Sequence, residues 1–248
     1  GLETALEKAK DSAIGTDKKV TVASVQTLSN QSRLSKFKKD HFKTIVVDEA
    51  HHTLADSYLR VLNYFDSAKV LGVTATPDRG DKKNLGSYYE SIAYEYSMRK
   101  AIKDGYLCPI KAQMIPLELD ISNVSITNGD YSLNEVGSAI TPYLNKIALE
   151  MVKYCKGRKT VVFLPLVKIS QDFTDLLNYH GLNAVEVNGE SKDREQILKD
   201  FHNGEYDVLC NSMLLTEGWD DPSVDCIVIL RPTKIRSLYQ QMVGRGTR

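Results

Sequence analysis

The 248 residues carry no excess of positive charge. Lys plus Arg number 32 and Asp plus Glu number 32, so no basic field announces a nucleic-acid partner and any such contact must come from local arrangement. Nor do the four cysteines, Cys108, Cys155, Cys210 and Cys226, form a CxxC pair or a zinc-like spacing, which leaves free thiols as the expectation. No run approaches the ~18 to 20 apolar residues of a membrane span, and the opening GLETALEKAK lacks the apolar stretch of a signal peptide. A cytoplasmic, intracellular protein with no membrane partner is expected. There is no initiating Met, no low-complexity tract, and no repeat at a period of about 20 to 50 residues.

What is present reads as a folded α/β protein. An apolar fraction of 42% and a charged fraction of 26% are ordinary for a globular chain, and the length suits two domains of roughly 100 to 150 residues each. Short apolar runs alternate with amphipathic stretches, the pattern of βαβ units around parallel sheets. In the first half, strands are expected at 20–25, 44–47 and 70–73. Between the last two, Leu54, Tyr58, Val61, Leu62 and Phe65 have helical spacing with one apolar face.

The second half repeats the scheme with strands at 160–164, 184–187, 208–210 and 226–230. One helix carries Ile169, Phe173, Leu176 and Leu177 and stops at Gly181; the next carries Ile197, Leu198 and Phe201 and stops near Gly204. From 109 to 141 the pattern changes to alternation through Met114, Ile115, Leu117, Leu119 and Ile121, followed by the turn-forming Ser-Ile-Thr-Asn-Gly-Asp. The expected division is therefore a first lobe at 1–108, a connector with a strand or hairpin at 109–141, and a second lobe at 142–248.

Chemistry concentrates at TIVVDEAHH (44–52), where a buried-type strand runs into Asp48 and Glu49. Carboxylates at the carboxyl end of a parallel strand stand where such sheets place their ligands. One can hold Mg²⁺ on a nucleotide's phosphates while its neighbour orients or deprotonates water. Alone, the pair could equally be a solvated strand end. It is followed in order by VTATP (73–77), VVFLP (161–165), LLTEGWDDP (214–222) and QMVGRGTR (241–248).

That ordered set resembles the superfamily-2 helicases of the DEAD/DEAH-box type, over nearly the whole chain. The passage YEYSMRKAIKDGYLCPIKA (94–112) is similar to the lobe-to-lobe segment of those that serve restriction, repair and phage replication. The resemblance implies two RecA-like lobes, each a mostly parallel sheet flanked by helices, with ATP hydrolysed between them and a nucleic acid, DNA by this branch, as partner. RNA is the alternative, because the expected grips contact backbone. Subunits of restriction, repair or replication systems are further expected partners.

Residue by residue, the resemblance makes Asp48 the acid that binds Mg²⁺ with ATP and Glu49 the activator of water, while His51 links the nucleotide site onward. Thr74 and Thr76 match the coupling motif. Ser24, Gln26 and Thr27, in VASVQTL (22–28), match a grip on the phosphate backbone, with Ser24 where Thr is more frequent. Ser212 falls at a second backbone-contacting position, and Gly218 and Asp220 at the ribose-contacting motif. Gln241, Arg245 and Arg248 match the final motif, whose planar guanidinium groups suit the spread charge of a transferring γ-phosphoryl group. Trp219 invites base stacking but suits core packing better, and adjacent His51 and His52 make a poor zinc site.

The phosphate-cradling GxxxxGK[ST] occurs nowhere in the 248 residues, although it should open the first lobe. The first lobe is therefore expected to be incomplete at its N-terminus, and these residues alone to give no ATP turnover. A non-hydrolysing nucleic-acid-binding or assembly module is the rival reading.

Overall fold

A computed structural model describes residues 2–76, 85–117, 119–212, 215 and 219–247. Two compact units divide the chain, Gly1–Ala93 and Tyr94–Arg248.

In the first unit, strand β1 (Thr4–Glu7) pairs in parallel with β2 (Val20–Ala23), which runs through Ser24 into the short helices α1 (Val25–Leu28) and α2 (Gln31–Leu34). Strand β3 (Thr44–Val47), helix α3 (Asp56–Tyr64) and strand β4 (Lys69–Gly72) follow, with β3 and β4 parallel. The two pairs form separate ladders. Strand β1 is the strand of this unit that pattern reading missed. Its inward positions are Ala5 and Glu7, and a charge at the second hides the alternation. Glu7 is fully buried, and its carboxylate accepts from Arg33 Nε at 2.6 Å and from the Ala13 N–H at 2.7 Å. Buried charge persists only when so paired.

The second unit opens with α4 (Met98–Lys103) and the antiparallel hairpin β5 (Ile126–Thr127) and β6 (Asp130–Tyr131). Helices α5 (Leu133–Ile140) and α6 (Leu144–Cys155) lead to β7 (Thr160–Phe163), α7 (Val167–Tyr179), β8 (Ala184–Val187), α8 (Arg194–Asn203), β9 (Val208–Asn211), β10 (Cys226–Ile229) and α9 (Arg236–Gly244). The four later strands form one parallel sheet in the order β10-β7-β9-β8. One of its faces is covered by Ile147, Met151, Phe173 and Leu177 from α6 and α7, the other by Phe201, Leu238 and Met242 from α8 and α9. Gly181 and Gly204 take the left-handed conformation, φ +84° and +85°, that ends α7 and α8 where expected. The stretch 109–121 forms no ladder among the described residues, so its alternation did not signal a strand; Val136 and Ile140 of α5 are instead buried within this unit.

Candidate functional site

The carboxyl end of β3 turns abruptly. Asp48 is exposed and its Oδ1 accepts the Glu49 N–H at 2.9 Å, while Glu49 itself adopts φ 49°, ψ 51°. Left-handed backbone is costly for a residue with a Cβ and concentrates at functional sites. It aims the following N–H of Ala50 at the Val73 carbonyl, 2.9 Å away, so the turn closes against the end of β4.

That closure unites the two motifs of this unit. Nδ1 of buried His51 lies 3.1 Å from Thr74 Oγ1 and 3.2 Å from Glu49 Oε2, and Thr74 Oγ1 accepts the Thr76 N–H at 3.1 Å. An Nδ1–H can donate to both the carboxylate and the hydroxyl oxygen. Thr76 is 2% exposed, and its hydroxyl has no hydrogen-bond partner among the described residues. His52 sets its ring between those of His51 and Tyr58, with centroids 4.1 Å and 6.3 Å away. Behind the turn, fully buried Thr53 meets the Tyr89 hydroxyl at 2.9 Å, and burial pushes that phenol up from its ordinary pKa.

Ser24 and Thr27 occupy the turn from β2 into α1, where local hydrogen bonds engage both hydroxyls. Ser24 Oγ accepts the Thr27 N–H at 3.3 Å as the N-cap and meets Thr27 Oγ1 at 2.8 Å, and Thr27 Oγ1 accepts the Ala9 N–H at 3.0 Å. Gln26, between them, is exposed.

In the second unit, Ser212 is half-buried and directly follows β9. Its neighbour Asn211 is fully buried, donating Nδ2–H to the Val162 carbonyl at 3.0 Å and accepting the Leu215 N–H at 3.4 Å. Trp219 packs against Phe201, ring centroids 6.2 Å apart, so core packing accounts for it. Asp220 is exposed beside it. Gln241 lies on α9 and Arg245 caps that helix, one residue past its end, with Nη1 donating to the Trp219 carbonyl. Gly218 and Arg248 lie outside the described residues.

Three acidic residues with built surroundings escaped sequence reasoning: Glu7, Asp130 and Asp221. Asp221 accepts from the Ser223 N–H at 3.0 Å and from His202 Nδ1 at 3.1 Å. Burial pushes its carboxyl up, yet these hydrogen bonds and the Lys159 charge outweigh burial and hold it below the usual range. Only Asp130 had a sequence signal, the Asn-Gly turn before it.

Two family models cover most of the chain in tandem. Residues 3–79 match the type III restriction enzyme res subunit, and residues 143–248 match the helicase conserved C-terminal domain. The chain belongs to the superfamily-2 helicases. Among helicase relatives, IRC3 of Saccharomyces cerevisiae, named as a candidate ATP-dependent helicase, is 36% identical over 94% of this chain and 35% of its own length. The chain thus spans about a third of that relative. A fragment of a candidate HsdR subunit of a type I restriction enzyme from Vibrio vulnificus superposes with a TM-score of 0.79 at 26% identity, over 98% of this chain and 47% of the other. Dbp5 of S. cerevisiae, bound to RNA and ADP BeF3, gives 0.56 at 17% identity over 98% and 60%, a likeness of fold alone. Both units of this helicase chain are accordingly RecA-like.

Proposed function

We propose that this chain is motor core of a protein that hydrolyses ATP to move along DNA inside the cell. The observation that carries the reading is the hydrogen-bonded line from Glu49 through His51 to Thr74, which joins the strand-end carboxylates to the coupling motif. In this reading Glu49 orients water and takes its proton. His51 then relays the state of that carboxylate to Thr74 and Thr76, because a change in charge at Glu49 alters which acceptor the imidazole favours. Asp48, an exposed hard-oxygen donor, fits Mg²⁺ and would hold it. When bound, the ion neutralises charge on the nucleotide's phosphates.

Gln241, Arg245 and Arg248 serve the transferring phosphoryl group, and Gly218 and Asp220 the ribose. Ser24, Gln26, Thr27 and Ser212 grip the nucleic-acid backbone, where polar side chains fix register without reading bases. Because Ser24 Oγ also caps α1 and Thr27 Oγ1 accepts the Ala9 N–H, a backbone phosphate shares hydroxyls already oriented by the fold. A relative named as a DNA 3'-5' translocase in Sulfurisphaera tokodaii favours DNA, and relatives named as subunits of type I restriction enzymes favour an association with restriction subunits.

ATP turnover of the full-length protein, compared with single-stranded DNA, duplex DNA and RNA, tests the reading. DNA should stimulate most, and Glu49→Gln should lower stimulated turnover by about 10²- to 10⁴-fold, the usual worth of a general base, with DNA binding retained. Stimulated turnover that survives Glu49→Gln refutes the assignment. DNA binding without any turnover would favour the non-hydrolysing module.

A further inference from the structure

The hairpin β5–β6 lies in the stretch expected to be a connector with a strand or hairpin, and it reaches 103 residues along the chain to grip the approach to α9. Its two-residue turn, Asn128 at φ 54° and Gly129 at φ 84°, is the left-handed pair that suits a tight hairpin, and it delivers Asp130 to a nearly buried position, 8% exposed. There one carboxylate oxygen accepts the Lys234 N–H at 2.7 Å and the other the Thr233 hydroxyl at 2.9 Å. Thr233 Oγ1 in turn accepts the Ile235 N–H at 3.0 Å, so the last three residues before α9 hang from Asp130. The next side chain supports the same contact, with Lys234 Nζ lying 5.3 Å from the Tyr131 ring centroid.

Helix α9 needs this anchor, since Ile235 at its N-cap offers no side-chain cap. Burial of Leu238 and Met242 fixes the helix's rotation about its axis, but apolar packing is non-directional and leaves the axial position to the polar tether. At the far end of the same rigid helix stand Gln241 and Arg245. We propose that Asp130 is a positioning residue for ATP hydrolysis, holding the Thr233–Ile235 turn so that α9 presents Gln241 and Arg245 in register. The inference rests on the reading of Arg245 given above.

Arg231 completes the arrangement. It is 5% exposed, its Nη2 lies 3.9 Å from Asp130 Oδ2, and its Nε and Nη1 have no hydrogen-bond partner among the described residues. Burial lowers its pKa and the Asp130 carboxylate opposes that, so Asp130 is also the countercharge of a buried guanidinium. Removing the carboxylate outright therefore risks unfolding, and Thr233 supplies the gentler variant.

The test is steady-state ATP hydrolysis by the full-length protein with single-stranded DNA. Thr233→Val and Asp130→Asn should each lower kcat about tenfold or more, since displacements near 1 Å at reacting groups cost up to ~10²-fold, with KM for ATP within about threefold. Thr233→Ser, which keeps the hydroxyl, should restore kcat. Added to Arg245→Ala, Thr233→Val should cost little more, because both remove the same contribution. Thr233→Val and Asp130→Asn proteins that melt normally and retain wild-type kcat overturn the proposal, as does full additivity with Arg245→Ala. If Arg245→Ala alone leaves turnover intact, the reading of Arg245 fails instead, and an unrescued loss of KM and kcat together would mark a merely structural role.

Discussion

The two units use similar apolar patterns in opposite ways. In the second, β7 and β9 are buried at every position, walled by helices on both faces. In the first, cross-strand partners Val46 and Leu71 are 62% and 49% exposed, and the partners Leu6 and Val22 are 44% and 53% exposed. The first unit also carries directional polar links: Glu7 to Arg33, Glu49 to His51 to Thr74, and Thr53 to Tyr89. Apolar packing scales with area and tolerates small shifts, whereas polar links fix distances and fail when one partner is lost.

The comparison breaks most visibly in the second core. Phe173→Ala removes a fully buried ring, and urea unfolding followed at Trp219, which lies in the same unit, should lose about 3 to 5 kcal/mol. A loss below about 1 kcal/mol would mean that packing does not govern this unit.

In the first unit the comparable injury is electrostatic. Glu7→Gln leaves Arg33 without its countercharge and should cost about 2 to 3 kcal/mol, less than for a fully enclosed pair because the Arg33 side chain is 20% exposed. Hydrogen exchange of the β1 and β2 amides should quicken while β7 and β9 stay protected; uniform change across both units would contradict their separate bases of stability.

A matched substitution sharpens the contrast. Val162→Thr places a hydroxyl at a position with 0% exposure and should cost about 1 to 3 kcal/mol, while Val46→Thr, on a surface 62% exposed, should stay within about 0.5 kcal/mol. Equal costs in chemical denaturation would show that the open face of β3 is covered in solution.

The smallest effect is a pH dependence at Asp221. Its carboxyl is held below the usual range, so its stabilisation is complete above the unfolded carboxylate pKa of about 3.9 and is lost as pH falls through the lower folded value. Urea midpoints of wild type and Asp221→Asn should accordingly converge as pH drops below about 4, and a gap that widens there would reverse the assignment.

Much of this was legible in the sequence. Strands β3, β7, β8, β9 and β10 fall within about a residue of where apolar runs placed them; β7 and β9, buried at every position, are written as continuous apolar runs for that reason. Strand β1 was illegible because Glu7 occupies an inward position, and only Arg33, 26 residues away, makes that charge tolerable. The connector does hold a hairpin, at Ile126–Thr127 and Asp130–Tyr131, but the alternation through 109–121 pairs with no strand among the described residues, since period alone cannot supply a neighbour.

The sequence by itself determined the parallel α/β class, the places of most strands and the candidate residues at strand ends, from local periodicity, residue chemistry and the resemblance carried by the ordered motifs. Only the tertiary structure decided that His51 faces both Glu49 and Thr74, that Ser24 and Thr27 spend hydroxyls on a cap, and that Asp130 carries the turn before α9. The His51–Thr74 and Asp130–Thr233 contacts join segments 23 and 103 residues apart, while Glu49–His51 and Ser24–Thr27 are local contacts whose geometry the folded turns set. A hydrogen bond is set by distance and angle in space, and neither quantity is written in a linear pattern.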